Sequence, residues 1–163
     1  MFFQEGGLLW LSPISLGFHY AEEGVRLMTS WNERNKAVIE EFRAHGGRVK
    51  GWAPLMLLTT TGARTGQPRL VPLMLVTDGD RLLAVASKGG SPKHPEWYFN
   101  LLAHPQVTVE VGGEKFEAIA RILTGDEREQ AFKRAVEVFP PYAQYQKKTT
   151  REIPVIALER PAT

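Results

Sequence analysis

Two glycine-bearing, cationic turns hold the chemistry this chain can do. Gly62-Ala-Arg-Thr-Gly66 and Ser87-Lys-Gly-Gly90 each follow a segment of strand character. Glycine lets a backbone approach a ligand closely and adopt left-handed conformations, so that successive amides can converge on an anion. Arg64 and Lys88 bring positive charge to the same two places, and Ser87 adds a hydroxyl. The pattern predicts a grip on an extended, phosphate-bearing ligand. Neither turn is a familiar phosphate loop. Gly62–Gly66 lacks the Gly-Lys-Ser/Thr ending of a Walker loop, and no helix follows it as a dinucleotide fingerprint requires. Taken alone, the first reads more readily as a plain hairpin turn, and the second reads nearly as well as a bulged one.

Two further groups of residues stand near these turns. Pro95-Glu-Trp-Tyr-Phe-Asn100 places Trp97 and Asn100 three apart on one helix face. Trp97 suits a core position as well as a ligand wall. A buried Asn100 needs partners, so it anchors either the neighbouring loop or a ligand. Tyr142 and Tyr145, also three apart, can wall an apolar cleft and still offer hydroxyl donors, or can staple a surface turn to the body of the protein. No serine–histidine–aspartate set and no close carboxylate pair stands out. The chain offers a cradle without an evident acid–base machine, the pattern expected when a cofactor supplies the chemistry.

Composition narrows the classes. The 163 residues fit one domain with one sizeable core, and 43% hydrophobic with 23% charged residues is the balance of an ordinary globular protein. There is no cysteine, which excludes disulfides, thiolate catalysis and iron–sulfur clusters. Four scattered histidines, His19, His45, His94 and His104, make no metal-ligand spacing, so no metal site is expected. The net charge of +2 is unevenly distributed: no acidic residue falls between Glu41 and Asp78, where Arg43, Arg48, Lys50, Arg64 and Arg69 lie. Arg81, Lys88 and Lys93 repeat the pattern up to Pro95. Such a field favours an anionic partner. Nucleic acid is disfavoured, because the tyrosines lie in a different segment from the arginines and no nucleic-acid motif is present.

The elements that position these residues follow from periodicity and punctuation. A capping box, Ser30-Trp-Asn-Glu33, predicts a helix from Trp31 to Ala44 with Trp31, Val38, Ile39 and Phe42 on one face and Gly46-Gly47 as its stop. Strands are expected near 54–61, 69–77, 81–87, 106–111, 114–123 and 153–158, with hairpin turns at Asp78-Gly79-Asp80 and Gly112-Gly113. Pro95 opens a short helix to residue 103, and a second capping box, Thr124-Gly-Asp-Glu127, opens one to Val138, ended by Pro140-Pro141. Six strands on short connections, interrupted by three helices, do not read as βαβ units. They predict an α+β fold whose mostly antiparallel sheet curls into a small barrel with helices outside. Residues 1–27 differ in composition and are expected to be an extension outside the 28–163 domain, with translation starting at Met28. Mass spectrometry of the native N-terminus tests this. Leu8-Leu9-Trp10-Leu11 is too short to span a membrane, and no basic segment precedes it as in a signal peptide.

Trp31–Gly47 (WNERNKAVIEEFRAHGG), Leu58–Gly66 (LTTTGARTG), Ala86–Leu101 (ASKGGSPKHPEWYFNL) and Tyr142–Leu158 (YAQYQKKTTREIPVIAL) together resemble the deazaflavin-dependent nitroreductase family of actinobacteria, the F420-dependent quinone and nitro reductases. The likeness covers roughly Ser30 to Arg160. It implies a split β-barrel akin to the FMN-binding barrels, holding coenzyme F420, a 5-deazaflavin with a phosphate and an acidic tail. Carried over by motif, it implies that Thr60, Gly62, Arg64, Thr65 and Gly66 with Ser87, Lys88, Gly89 and Gly90 hold the cofactor. It implies also that Trp97 and Asn100 close that side, and that Arg69, with Arg48 and Lys50, meets the tail. Tyr142 and Tyr145 match the family's tyrosines over the substrate side of the ring, with Ser87 beneath, and these three are the implied catalytic residues. Phe139 stands where the family's best-studied type has a further tyrosine, and Met74–Leu75 where it has an aromatic. Those departures weigh against nitroimidazole activity and leave the cofactor site untouched.

The leading expectation is therefore an F420-dependent reductase passing hydride to an electron-poor acceptor: a quinone, an activated alkene or a nitroaromatic. An FMN-dependent barrel oxidoreductase and a non-catalytic deazaflavin storage protein are the alternatives. The expected partner is a small molecule and the expected location the cytoplasm, with peripheral membrane contact through Trp10, Trp31 or the basic patch if the acceptor is a lipophilic quinone.

Overall fold

The computed structural model describes the backbone of residues 21–161 and the side chains of residues 33–161. In chain order these form α1 (Ala21–Ala44), β1 (Leu55–Thr61), β2 (Pro68–Met74), β3 (Val76–Asp78), β4 (Arg81–Val85), a 3-10 turn (Lys88–Gly90), α2 (Glu96–Ala103), β5 (Gln106–Val111), β6 (Glu114–Ile122), α3 (Gly125–Val138), α4 (Pro141–Lys147) and β7 (Val155–Glu159). The strands make one sheet in the order β2-β1-β5-β6-β7-β4-β3, and every neighbouring pair is antiparallel.

Register explains why this sheet must curl. β2 pairs with β1 at one edge, β3 pairs with β4 at the other, and only Leu75 separates β2 from β3. Tracing the antiparallel pairs around the sheet, β2 and β3 run in the same direction. They are two parts of one descending strand that leaves β1 and joins β4, so both edges are drawn together. The single strand expected at 69–77 thus becomes two paired segments, which is why seven strands stand where six were expected. The two-residue hairpins arise where expected, at Gly79-Asp80 and Gly112-Gly113; Gly79 and Gly112 take φ of 64° and 60°, which favours glycine.

Both faces of the sheet are buried. Leu55 and Leu57 of β1 face a cluster that α1, α3 and α4 cover with Val38, Phe42, Ala131, Ala135 and Tyr142. Met56 and Leu58 alternate to the other face and pack with Leu73, Ala84, Val109 and the α2 residues Trp97 and Leu101. The end of α1 is seated on the β5–β6 turn. A Cβ on Gly47 would lie 2.6 Å from Gly112 Cα, and Arg43 makes a two-point bond to Glu110, Nε to Oε1 at 3.0 Å and Nη2 to Oε2 at 2.8 Å.

Three expectations about helices need correction. α1 extends back at least to Ala21, so Ser30 lies inside it and starts no helix; the side chains of that stretch, Trp31 among them, lie outside the described residues, as do residues 1–20 of the expected extension. The Thr124–Glu127 box does not form: Thr124 makes no side-chain cap bond, and Glu127 instead accepts from Arg121 at 3.1 Å and Arg81 at 2.9 Å. Two arginines outcompete one amide for that carboxylate. Pro141 does more than end α3, since it is the first residue of a fourth helix, α4, where its missing N–H costs nothing. No helix among the described residues is long and apolar enough to cross a membrane.

Candidate functional site

β1, β4 and β6 all ascend, so the carboxyl ends of β1 and β4 lie at the same end of the barrel. Both candidate turns are therefore brought together by topology. The first is closed by its own backbone: Gly62 N donates to Gln67 O at 2.7 Å and Gly66 N to Gly62 O at 2.9 Å. Thr65 Oγ1 accepts from Gln67 N at 3.1 Å. From below, Asn100 Oδ1 accepts from Ala63 N at 2.9 Å, and Asn100 Nδ2 donates to Thr60 Oγ1 at 3.0 Å. Asn100 and Thr60 are both buried, so this amide fastens the first turn to α2.

Gly62, Ala63, Arg64, Thr65, Arg69 and three residues of α2, Glu96, Phe99 and Asn100, line an open cavity of about 390 Å³. Arg64 and Arg69 are exposed at its rim and have no carboxylate partner among the described residues. By contrast Arg43, Arg81 and Arg121, equally cationic in the sequence, are each engaged by a glutamate. Glu96 links the cavity to the second turn, because its charge also acts on Lys88.

The second turn has the backbone of an anion-binding nest. Ser87 is right-handed (φ −78°, ψ −39°), while Lys88, Gly89 and Gly90 have φ of 46°, 64° and 84°. Lys88 is a non-glycine residue held in the left-handed region, a local strain of the kind found at functional sites. An αR residue followed by an αL residue aims consecutive amides at one point. Gly89 faces open space, whereas a Cβ on Gly90 would lie 2.8 Å from Tyr145 O. Gly89 thus leaves room for a ligand, and Gly90 instead permits the close approach of α4. Ser87 is buried, and its hydroxyl caps nothing in the turn. Burial lowers the Lys88 ammonium from its ordinary value; Glu96 opposes that, and Lys93 and Arg151 add to it. The ammonium makes no ion pair among the described residues.

The carbonyl side of this turn is held by a residue without any sequence signal of that role. Arg151 donates from Nη1 to Ala86 O at 3.2 Å, from Nη2 to Ser87 O at 2.8 Å and from Nε to Ser91 O at 2.8 Å. Its Nη1 also lies 3.0 Å from His94 Nδ1, and since a guanidinium only donates, that nitrogen accepts and His94 carries its proton on Nε2. Arg151 sits in Thr150-Arg-Glu-Ile-Pro154, where a periodicity reading finds only a basic loop.

The tyrosines lie against the second turn through α4. Phe139, Tyr142 and Tyr145 form a ring cluster: Tyr142 meets Phe139 and Tyr145 edge-on with centroids 5.0 Å and 6.2 Å apart, and Phe139 and Tyr145 are tilted at 6.3 Å. Tyr142 is buried and Tyr145 half-buried. Burial pushes both phenols above their ordinary value, Tyr142 the further with Tyr145 adding to it, so both hold their protons at neutral pH. Two implied assignments fit this arrangement poorly. Trp97 is 7% exposed within the second core cluster and stands behind the site. Arg48 and Lys50 follow α1 beside the Gly112 turn, at the far end of β1 from Gly62.

The chain is similar to known proteins in both sequence and fold. The family described as F420H(2)-dependent quinone reductase matches residues 31–160. An F420H(2)-dependent quinone reductase of Mycobacterium tuberculosis is 42% identical over 120 residues, which cover 71% of this chain and 79% of that protein. Among solved structures, an F420-H2 dependent reductase, FDR-A, is similar with a TM-score of 0.62 at 53% identity, covering 65% of this chain and 94% of its own. A domain-swapped dimer is similar with a TM-score of 0.64 at 47% identity, covering 80% and 98%.

Proposed function

The chain belongs to the F420H(2)-dependent quinone reductase family, and on that premise we propose which of its residues carry the reduction. It is an F420-dependent oxidoreductase. The bound, reduced deazaflavin supplies a hydride to an electron-poor acceptor of the quinone class. The residues present suit such a cofactor: an amide nest, a Lys88 ammonium and a cavity rimmed by two arginines, none of the three cations ion-paired among the described residues, form an anionic ligand's complement. The observation that supports the reading most is that these cationic elements converge at one barrel end, while Arg43, Arg81 and Arg121 are each paired with a glutamate.

In this reading Lys88 and the amides of Ser87–Gly89 bind the cofactor's anionic and carbonyl groups, and Arg64 and Arg69 meet its acidic tail. Thr60 and Asn100 hold the first turn in place. Tyr142, Tyr145 and Phe139 wall the acceptor side and exclude water, which strengthens every charge interaction there. Tyr145, the more open of the two phenols, is in this reading the donor of a hydrogen bond to the acceptor oxygen as negative charge develops on it. The acceptor is a small molecule, and a lipophilic quinone requires no more than peripheral membrane contact from a protein located in the cytoplasm. Co-sedimentation with lipid vesicles tests that contact.

Fluorescence titration with oxidised F420, run beside FMN, is the deciding experiment. Saturable quenching by F420 alone, followed by oxidation of F420H2 with a soluble naphthoquinone, is the expected result. Binding of FMN alone would move the chain to the flavin barrels, and F420 binding without turnover on any acceptor would make it a storage protein.

A further inference from the structure

We propose that Arg151 is a positioning residue that preorganises the cofactor-binding amides of the Ser87–Gly90 turn. The inference depends on the cofactor reading above and adds to it the source of the turn's shape. In a planar trans peptide the C=O and N–H point in opposite directions, and no cis peptide bond occurs among the described residues. Arg151 takes the carbonyl oxygens of Ala86 and Ser87 on one side. The N–H groups of the same two peptides, those of Ser87 and Lys88, are thereby fixed on the opposite side, where the nest faces its ligand. A guanidinium on a carbonyl also polarises the peptide and strengthens its N–H as a donor.

The device is anchored independently of the turn. Gln146 of α4 donates from Nε2 to Arg151 O at 2.8 Å, and its Oε1 accepts from Ile153 N at 2.9 Å and from Arg128 Nη2 at 3.1 Å. Arg128 is itself buried and donates to Ile153 O at 2.6 Å. Further along the turn, Lys148 donates to Gly89 O at 3.2 Å. Arg151 therefore fixes the cofactor turn relative to the helix that bears Tyr142 and Tyr145, so one residue sets the spacing between the two halves of the site. A single planar fork reaching three carbonyls is what the geometry uses, and a lysine offers one point charge in its place.

The test compares Arg151→Ala, Arg151→Lys and Lys88→Ala with the wild type in F420 titrations. Each titration is accompanied by near-ultraviolet circular dichroism and by amide NMR of the cofactor-free protein. F420 dissociation constants are expected to rise about tenfold or more for both Arg151 variants, with the amide signals of Ser87 and Lys88 displaced before any cofactor is added. Methylguanidinium is expected to recover part of the lost affinity in Arg151→Ala and none in Lys88→Ala. In turnover the loss should fall on the KM for F420H2 and leave kcat nearly unchanged. Should Arg151→Ala fail to fold, Arg151→Lys carries the comparison alone. Wild-type affinity in Arg151→Lys would show that only charge matters and would overturn the proposal. If wild type binds F420, Lys88→Ala weakens it and both Arg151 variants bind normally, the cofactor reading stands and this inference falls. If wild type does not bind F420, both fall together.

Discussion

At the scale of single residues, partners decide role. Lys88 and Arg121 are both cations, yet Arg121 holds two glutamates while Lys88 holds none among the described residues. Replacing Lys88 by Ala should weaken F420 binding about ten- to a hundredfold, the range for losing a charge-assisted hydrogen bond, and should leave the unfolding midpoint unchanged. Parallel titrations and melts check both halves. Tyr145→Phe keeps the wall and removes a proton donor, so it should lower turnover about a hundredfold with F420 affinity intact. Tyr142→Phe should cost less, because its hydroxyl is buried; stopped-flow reduction of a naphthoquinone by the two variants checks the order. Asn100 shows how far sequence reaches at this scale. Its need for partners was legible, since a buried amide must be satisfied. Their identity was not, because Ala63 and Thr60 lie 37 and 40 positions away and only the fold brings them near.

Elements carry a different kind of information. Strand and hairpin positions were legible because alternation and Asp-Gly or Gly-Gly turns are local signals. The strand break at Leu75 was not, because it arises from the chain changing partner between two sheet edges, a property of closure and of no local residue type. The capping box at Thr124 failed for a related reason: Glu127 is claimed by Arg81, 46 positions away. The same contrast separates two adjacent glycines. Both Gly89 and Gly90 have positive φ, but only Gly90 is pressed against α4. Gly90→Ala should therefore destabilise the protein by about 1–3 kcal/mol and loosen α4, whereas Gly89→Ala should cost nearer 1 kcal/mol. Chemical denaturation of the two variants measures the difference; equal losses would mean that α4 docking does not depend on the Gly90 contact.

Across the whole molecule, the paired and unpaired charges answer differently to solution conditions. Glu127 accepts from Arg121 and Arg81, hydrogen bonds that hold its carboxyl down at about 2, and Glu110 and Glu159 are lowered likewise by Arg43 and Arg121. A carboxyl whose folded value lies below its unfolded one binds fewer protons when folded. Its contribution is complete above the ordinary value near 4.5 and disappears as pH falls toward about 2. His94 adds an earlier step. Burial and the facing Arg151 guanidinium depress it below the ordinary 6.5, with the rings of Tyr98 and Phe99 against it from α2 and no carboxylate bonded to it among the described residues. The unfolded chain therefore takes up that proton first, and stability is lost as pH drops from about 6.5 through the lowered value. Melting temperature should accordingly fall in two stages on acidification. His94→Gln should remove the upper stage, and Arg121→Ala should shrink the lower one. Salt should shrink the lower stage too, because Glu127 and Glu159 are solvent-exposed and screened. The upper stage, resting on a half-buried imidazole, should persist in salt. A single transition insensitive to both substitutions would mean that neither the ion-pair network nor the His94–Arg151 contact sets the acid limit of the fold.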